Sequence, residues 1–108
     1  MSAHLEGLVR RAREGDREAL ESLVSAIQDR VYGLALRMLW HPEDARDATQ
    51  EILIRIVTRL STFRGASKFS TWAYRVAANY LLTVRKSRIE ARNYTFRRFG
   101  DELDEGLS

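Results

Sequence analysis

Cysteine is absent from all 108 residues, which excludes a disulfide framework, a thiolate nucleophile and Cys-ligated zinc together. That absence agrees with a reducing compartment. Histidine is almost as scarce: His4 and His41 are the whole complement and stand far apart, so no histidine-based metal or acid–base cluster is available. No Gly-rich phosphate loop occurs either. The expectation is therefore a protein with no catalytic residues, no metal and no cofactor. No apolar run approaches the roughly 20 residues of a membrane span, and the N-terminus lacks the basic-then-apolar pattern of a signal peptide. A soluble cytoplasmic protein, without membrane insertion, is the expected setting. Proline occurs once and glycine six times, too few for a loop-built or disordered chain.

What the chain does contain favours helix. Hydrophobic residues make up 44% and charged residues 31%, enough for one modest core in one small domain. The net charge of +3 conceals a strong asymmetry. Residues 1–60 hold nine basic and ten acidic side chains, residues 61–100 hold nine basic and one acidic, and residues 101–108 hold four acidic and none basic. A 40-residue stretch with a local balance of +8 has a polyanion as its natural partner, although a charged run is also what a plain solvated face looks like.

Hydrophobic periodicity predicts four helices. The first covers about Leu5 to Glu14 and stops at Gly15-Asp16, where glycine closes one helix and Asp16 can cap the next. The second runs from about Arg17 to Trp40, with Leu20, Val24, Ile27, Val31, Leu34 and Met38 as its apolar stripe. The third opens at Pro42, which suits a first helical position, with Glu43 and Asp44 at the positive end of its dipole. It should reach about Leu60, burying Ala45, Ala48, Thr49, Ile52, Ile56 and Leu60. A loop from Ser61 to Lys68 contains Gly65. Ser70 or Thr71 can cap a fourth helix that reaches about Arg88 and buries Ala73, Val76, Ala77, Tyr80, Leu81 and Val84. From Ile89 on, Gly100 and Gly106 argue against a long helix, so this end is expected to be a linker with at most a turn or two of helix.

Two faces carry more than a core requires. At 100° per residue, Glu43, Asp47, Gln50, Ile54 and Val57 lie opposite the third helix's core stripe. Such a face is either solvated, with chance hydrophobics, or a docking surface on which Ile54 and Val57 give up water while Asp47, Gln50 and Glu51 fix register on a basic partner. On the fourth helix Arg75, Asn79 and Lys86 lie opposite the buried side. Just before them Phe69 and Trp72 flank the hydroxyls of Ser70 and Thr71, with Arg64 and Lys68 adding charge. Unstacked bases need a π surface and phosphates need cations, which makes this segment a candidate single-strand site. The competing reading is that Phe69 and Trp72 are core residues at a helix start.

These residues resemble a known family. Asp44-Ala45-Arg46-Asp47-Ala48-Thr49-Gln50-Glu51 looks like the polymerase-binding helix of sigma factors. Phe63-Arg64-Gly65 with Phe69-Ser70-Thr71-Trp72-Ala73-Tyr74-Arg75-Val76-Ala77-Ala78-Asn79 looks like their minus-ten-reading segment. Leu8-Val9-Arg10-Arg11-Ala12-Arg13-Glu14-Gly15-Asp16 is similar to their first helix. The resemblance, to region 2 of the extracytoplasmic-function (ECF) group, covers about residues 5–90. It implies an all-α bundle of about four helices over residues 1–90, with residues 91–108 a linker or tail before a region 4 domain that this sequence lacks. It further implies that Asp47, Gln50, Glu51, Ile54 and Val57 meet the β′ coiled coil of the RNA polymerase core. Arg64, Lys68, Phe69, Ser70, Thr71, Trp72, Arg75, Asn79 and Lys86 would hold nontemplate-strand promoter DNA, the loop capturing one extruded base and so melting the minus-ten element. An anti-sigma factor is implied as a further partner. Two positions depart from the pattern: Ala66 stands where the family often has an acidic residue, and His41 where a better helix cap is common.

Other classes fit less well. An enzyme lacks its residues here, and the acidic pair Glu43 and Asp44 is explained by helix capping. A helix-turn-helix reader of duplex DNA needs a turn of three or four residues, whereas this loop has about eight to ten. A helical protein-interaction module without promoter melting remains the alternative.

Overall fold

The computed structural model describes residues 2–107, so Met1 and Ser108, the outermost residues of the two expected segments, lie outside the described residues. Four α-helices and one 3-10 turn follow in order: α1 (Ser2–Arg13), α2 (Arg17–Leu39), α3 (Pro42–Arg59), the turn Leu60–Thr62, and α4 (Phe69–Leu107). No strand occurs among the described residues. Among the described residues no helix is long and apolar enough to cross a membrane.

The first junction is built as the sequence suggests. Gly15 takes φ 98°, a left-handed conformation that costs a residue with a Cβ. Its N–H donates to the Ala12 carbonyl at 3.1 Å, and the Asp16 N–H donates to the Arg11 carbonyl at 3.0 Å, the paired bonds of a Schellman motif. Asp16 then caps α2, its carboxylate accepting from the Ala19 N–H at 3.1 Å. The α2–α3 junction is closed from a distance. His41 makes no capping hydrogen bond. Instead Arg88 of α4 donates to the Leu39 carbonyl at 3.3 Å and to Asp44 Oδ2 at 2.6 Å, tying the end of α2 to the start of α3.

Packing on α3 follows the predicted stripe: Ala45, Ala48, Thr49, Ile52, Ile56 and Leu60 are all buried. The Thr49 hydroxyl is satisfied inside the core by the Ala45 carbonyl at 2.6 Å. On α2 the buried row is instead Ala19, Leu23, Ile27, Val31, Ala35 and Leu39, an unbroken i, i+4 series. Only Ile27 and Val31 of the expected stripe belong to it. Leu20, Val24, Leu34 and Met38 sit half-buried at its margins. The physical reason is close approach: the small side chains of Ala19 and Ala35 sit where α2 meets its neighbours, and bulkier residues flank them. On α4, Ala73, Ala77 and Leu81 are buried, while Val76, Tyr80 and Val84 pack against the core from its edge.

The C-terminal end differs from the expected linker. Helix α4 continues unbroken through Gly100 and Gly106, giving 39 residues and about 58 Å at ~1.5 Å per residue. From Arg85 to Phe99 every residue is exposed; Arg85 and Arg88 still reach the α2–α3 junction, and the helix beyond them lengthens the molecule to 68 × 24 × 20 Å. A helix-interior glycine costs about 1 kcal/mol relative to alanine. Strong helix formers around the two glycines and the i, i+4 pairs Lys86–Glu90 and Arg98–Glu102 oppose that cost.

Candidate nucleic-acid interface

Between the 3-10 turn and α4, residues 63–68 form the loop, held at both ends by aromatic rings. Phe63 and Phe69 are buried, at 5% and 0% exposure, and meet edge to face with centroids 5.8 Å apart. Trp72 leans on both, at 5.4 Å from Phe63 and 5.7 Å from Phe69. Three mutually packed rings fix where the loop leaves and rejoins the bundle. Gly65 turns the chain at φ 76°, and Arg64, Gly65, Ala66 and Lys68 are left facing solvent.

Of the two readings of Phe69, its burial fits the core one. A ring with no accessible surface offers no face to a ligand; Phe69 positions the loop from within. Trp72, half-buried, keeps part of its surface. Capping of α4 differs from expectation. Glu6, on α1, accepts the Phe69 N–H at 3.1 Å, so the cap comes from 63 residues away in sequence rather than from Ser70 or Thr71. The hydroxyls of Ser70 and Thr71 consequently stay exposed, with no hydrogen-bond partner among the described residues. A concavity of about 420 Å³ separates α1 from the loop, lined by Glu6, Arg10, Arg13, Phe63 and Gly65 among others. Sequence reading missed Glu6 because nothing in a linear pattern signals a cap supplied by another helix.

Along α4, Trp72, Arg75, Asn79 and Lys86 fall on one side of the helix and span about 21 Å at ~1.5 Å per residue. Arg75, Asn79 and Lys86 are exposed, and the weak i, i+4 contact of Lys86 with Glu90, at 4.0 Å, leaves its ammonium largely solvated. Arg64, Lys68 and Thr71 are exposed at the loop and helix start that precede this cationic face. Ser70, by contrast, lies on the other side of α4, where it lines a groove with Leu5, Arg30 and Leu34, and Phe69 is buried.

On α3, Asp47, Gln50 and Ile54 are exposed, and Glu51 and Val57 are half-buried. Ile54, at 56% exposure, is a large apolar side chain that the fold does not use. Glu51 is held by Arg55 at 3.1 Å along the same helix. The two surfaces are thus carried by adjacent packed helices but differ in sign: acidic and apolar on α3, cationic with a partly exposed indole on α4.

Known proteins share these features. The family model described as Sigma-70 region 2 matches residues 23–89. The ECF RNA polymerase sigma factor SigW of Bacillus subtilis is 33% identical over 94 residues, covering 87% of this chain and 49% of its own length. The ECF RNA polymerase sigma-E factor of Haemophilus influenzae is 40% identical over 74 residues, covering 68% of this chain and 39% of its own. This chain spans half or less of the length of the curated relatives it matches. Among solved structures, an engineered region 2 of sigmaE, in complex with GTAAAA, aligns with a TM-score of 0.66 at 34% identity, covering 82% of this chain and 88% of that one. The chain belongs to the sigma-70 region 2 family, in the ECF group of sigma factors.

Proposed function

We propose that this chain is the promoter-melting module of a sigma factor, which binds the RNA polymerase core through α3 and the nontemplate strand of the minus-ten element through the loop and α4. The observation that supports the reading is the cationic face of α4, where Arg75, Asn79 and Lys86 are exposed beside the half-buried Trp72, with Arg64, Lys68 and Thr71 exposed at the loop and helix start that precede it. Duplex opening costs a few kcal/mol per unstacked base, and a loop that rewards only the extruded base offsets that cost. Rigid anchoring by Phe63 and Phe69 keeps the loop from paying an ordering cost on binding. On α3, Asp47, Gln50, Glu51, Ile54 and Val57 supply an acidic, partly apolar match to the polymerase β′ coiled coil. The module acts by binding alone, without catalysis, and an anti-sigma factor would inhibit it by covering either surface. Residues 1–90 form the working module, and residues 91–108 are a linker or tail.

The test is a titration of the chain with a labelled nontemplate minus-ten oligonucleotide and with its duplex at two salt concentrations. Single strand should bind more tightly than duplex, and binding should weaken as salt rises because each neutralised phosphate releases counterions. Equal affinity for the duplex would refute strand capture and favour a reader of double-stranded DNA.

A further inference from the structure

A groove of about 320 Å³ runs between the C-terminal half of α3 and the first turns of α4. Its α4 wall carries Trp72, Arg75 and Asn79, and its α3 wall carries Arg55 and Arg59, with Tyr80 in the lining. Three guanidinium groups line one concavity with no carboxylate among its lining residues. Like charges converging in this way repel one another until an anion enters. Arg55 is preordered: Glu51 holds its Nε at 3.1 Å, and its guanidinium lies over the Tyr80 ring at 4.6 Å. One donor is used on Glu51, which leaves the rest of the fork for a ligand. Arg59 and Arg75 are exposed and form no ion pair among the described residues.

Arg55 and Arg59 are one turn apart on the flank of α3 that faces α4, turned roughly 80–120° from Asp47 at 100° per residue. They therefore point away from the acidic face and toward the proposed DNA surface. Forked guanidiniums match the paired oxygens of a phosphodiester, and the neighbouring indole and carboxamide suit the nucleoside attached to it. We infer that Arg55 and Arg59, on the helix otherwise assigned to polymerase, join Arg75 to clamp one backbone phosphate of promoter DNA in this groove. The inference rests on the strand-binding reading above and adds a contact to it. Its consequence is that α3 serves both partners, so that the DNA path is set partly by the helix that docks on polymerase.

The experiment uses the full chain and a labelled nontemplate minus-ten oligonucleotide in which single phosphates are replaced, one at a time, by neutral methylphosphonates. Arg59→Ala and Arg55→Ala are expected to weaken every sequence by about three- to tenfold and to lower the salt slope by roughly one each. At one linkage the methylphosphonate should weaken the wild-type protein to the same degree and abolish the further effect of Arg59→Ala. Circular dichroism and a β′ coiled-coil pull-down should both be unchanged. The clamp is overturned if Arg59→Ala leaves DNA affinity intact while Lys86→Ala lowers it, if its effect adds in full at every linkage, or if only the pull-down responds. Absence of any oligonucleotide binding by the wild-type chain overturns the clamp together with its parent reading.

Discussion

Helices α3 and α4 bury the same kind of face and expose opposite ones. Each contributes small residues and branched apolar ones to the core, Ala45, Ala48 and Ile52 in one case, Ala73, Ala77 and Leu81 in the other. Outside, α3 shows Asp47, Gln50 and Ile54, whereas α4 shows Arg75, Asn79 and Lys86. The buried faces interlock and so constrain each other in volume and spacing. The exposed faces share no such constraint, which allows two adjacent helices to serve partners of opposite charge. The comparison teaches that the core sets the relative position of the two surfaces, while charge decides what each can hold.

The largest expected effect comes from breaking what the two helices share. Phe69→Ala removes a fully buried ring and should cost about 3–5 kcal/mol of stability, a large part of the margin of a small domain. Denaturant melts measure it. Phe69→Leu, which keeps most of the apolar volume, should recover most of the stability and the DNA binding with it. If Phe69→Ala leaves the denaturant midpoint unchanged, the ring contributes nothing to the core and its burial has been misread.

A smaller effect separates the loop from the helix behind it. If the loop encloses the extruded base as proposed, grafting residues 66–70 of a related sigma factor should change which minus-ten base is preferred, because the loop would read that base's edge. Lys86→Ala should instead weaken all sequences about equally and lower the salt slope by roughly one. Binding to oligonucleotides differing at a single base reads both. A graft that leaves base preference unchanged would reduce the loop to a connector.

Helix α3 was the most legible element, because its punctuation and its pattern agree. Pro42, Glu43 and Asp44 mark its start, and its six predicted core residues are all buried. Helix α2 was legible in extent but not in rotation. Leucine and valine occur all round it, so apolarity alone could not identify Ala19 and Ala35 as points of closest approach. The tail was misread because Gly100 and Gly106 are breakers by propensity, and propensity yields to a helix already nucleated from Phe69 onward. Among the proposed site residues the charged and polar ones are exposed apart from Glu51, which is half-buried against Arg55, as a helix face opposite the core stripe leads one to expect. Burial of Phe69 was not legible, since an aromatic beside hydroxyls and cations reads the same whether it faces a base or the core. Glu6 and the α3 wall of the groove were invisible for another reason: both depend on which helices become neighbours.

If α3 and α4 carry two separable interfaces on one rigid core, as proposed, each partner can be lost without the other. The most direct measurement crosses two variants with two partners. Ile54→Arg and Arg75→Ala are each assayed for binding to the β′ coiled coil and to the nontemplate oligonucleotide, with circular dichroism as the check on folding. Ile54→Arg should lose at least ~30-fold in coiled-coil affinity, as a disrupted interface anchor does, with oligonucleotide affinity unchanged. Arg75→Ala should lose about three- to tenfold for the oligonucleotide and nothing for the coiled coil. Loss of both activities in either variant, with the helical spectrum intact, would contradict the separation of the two faces.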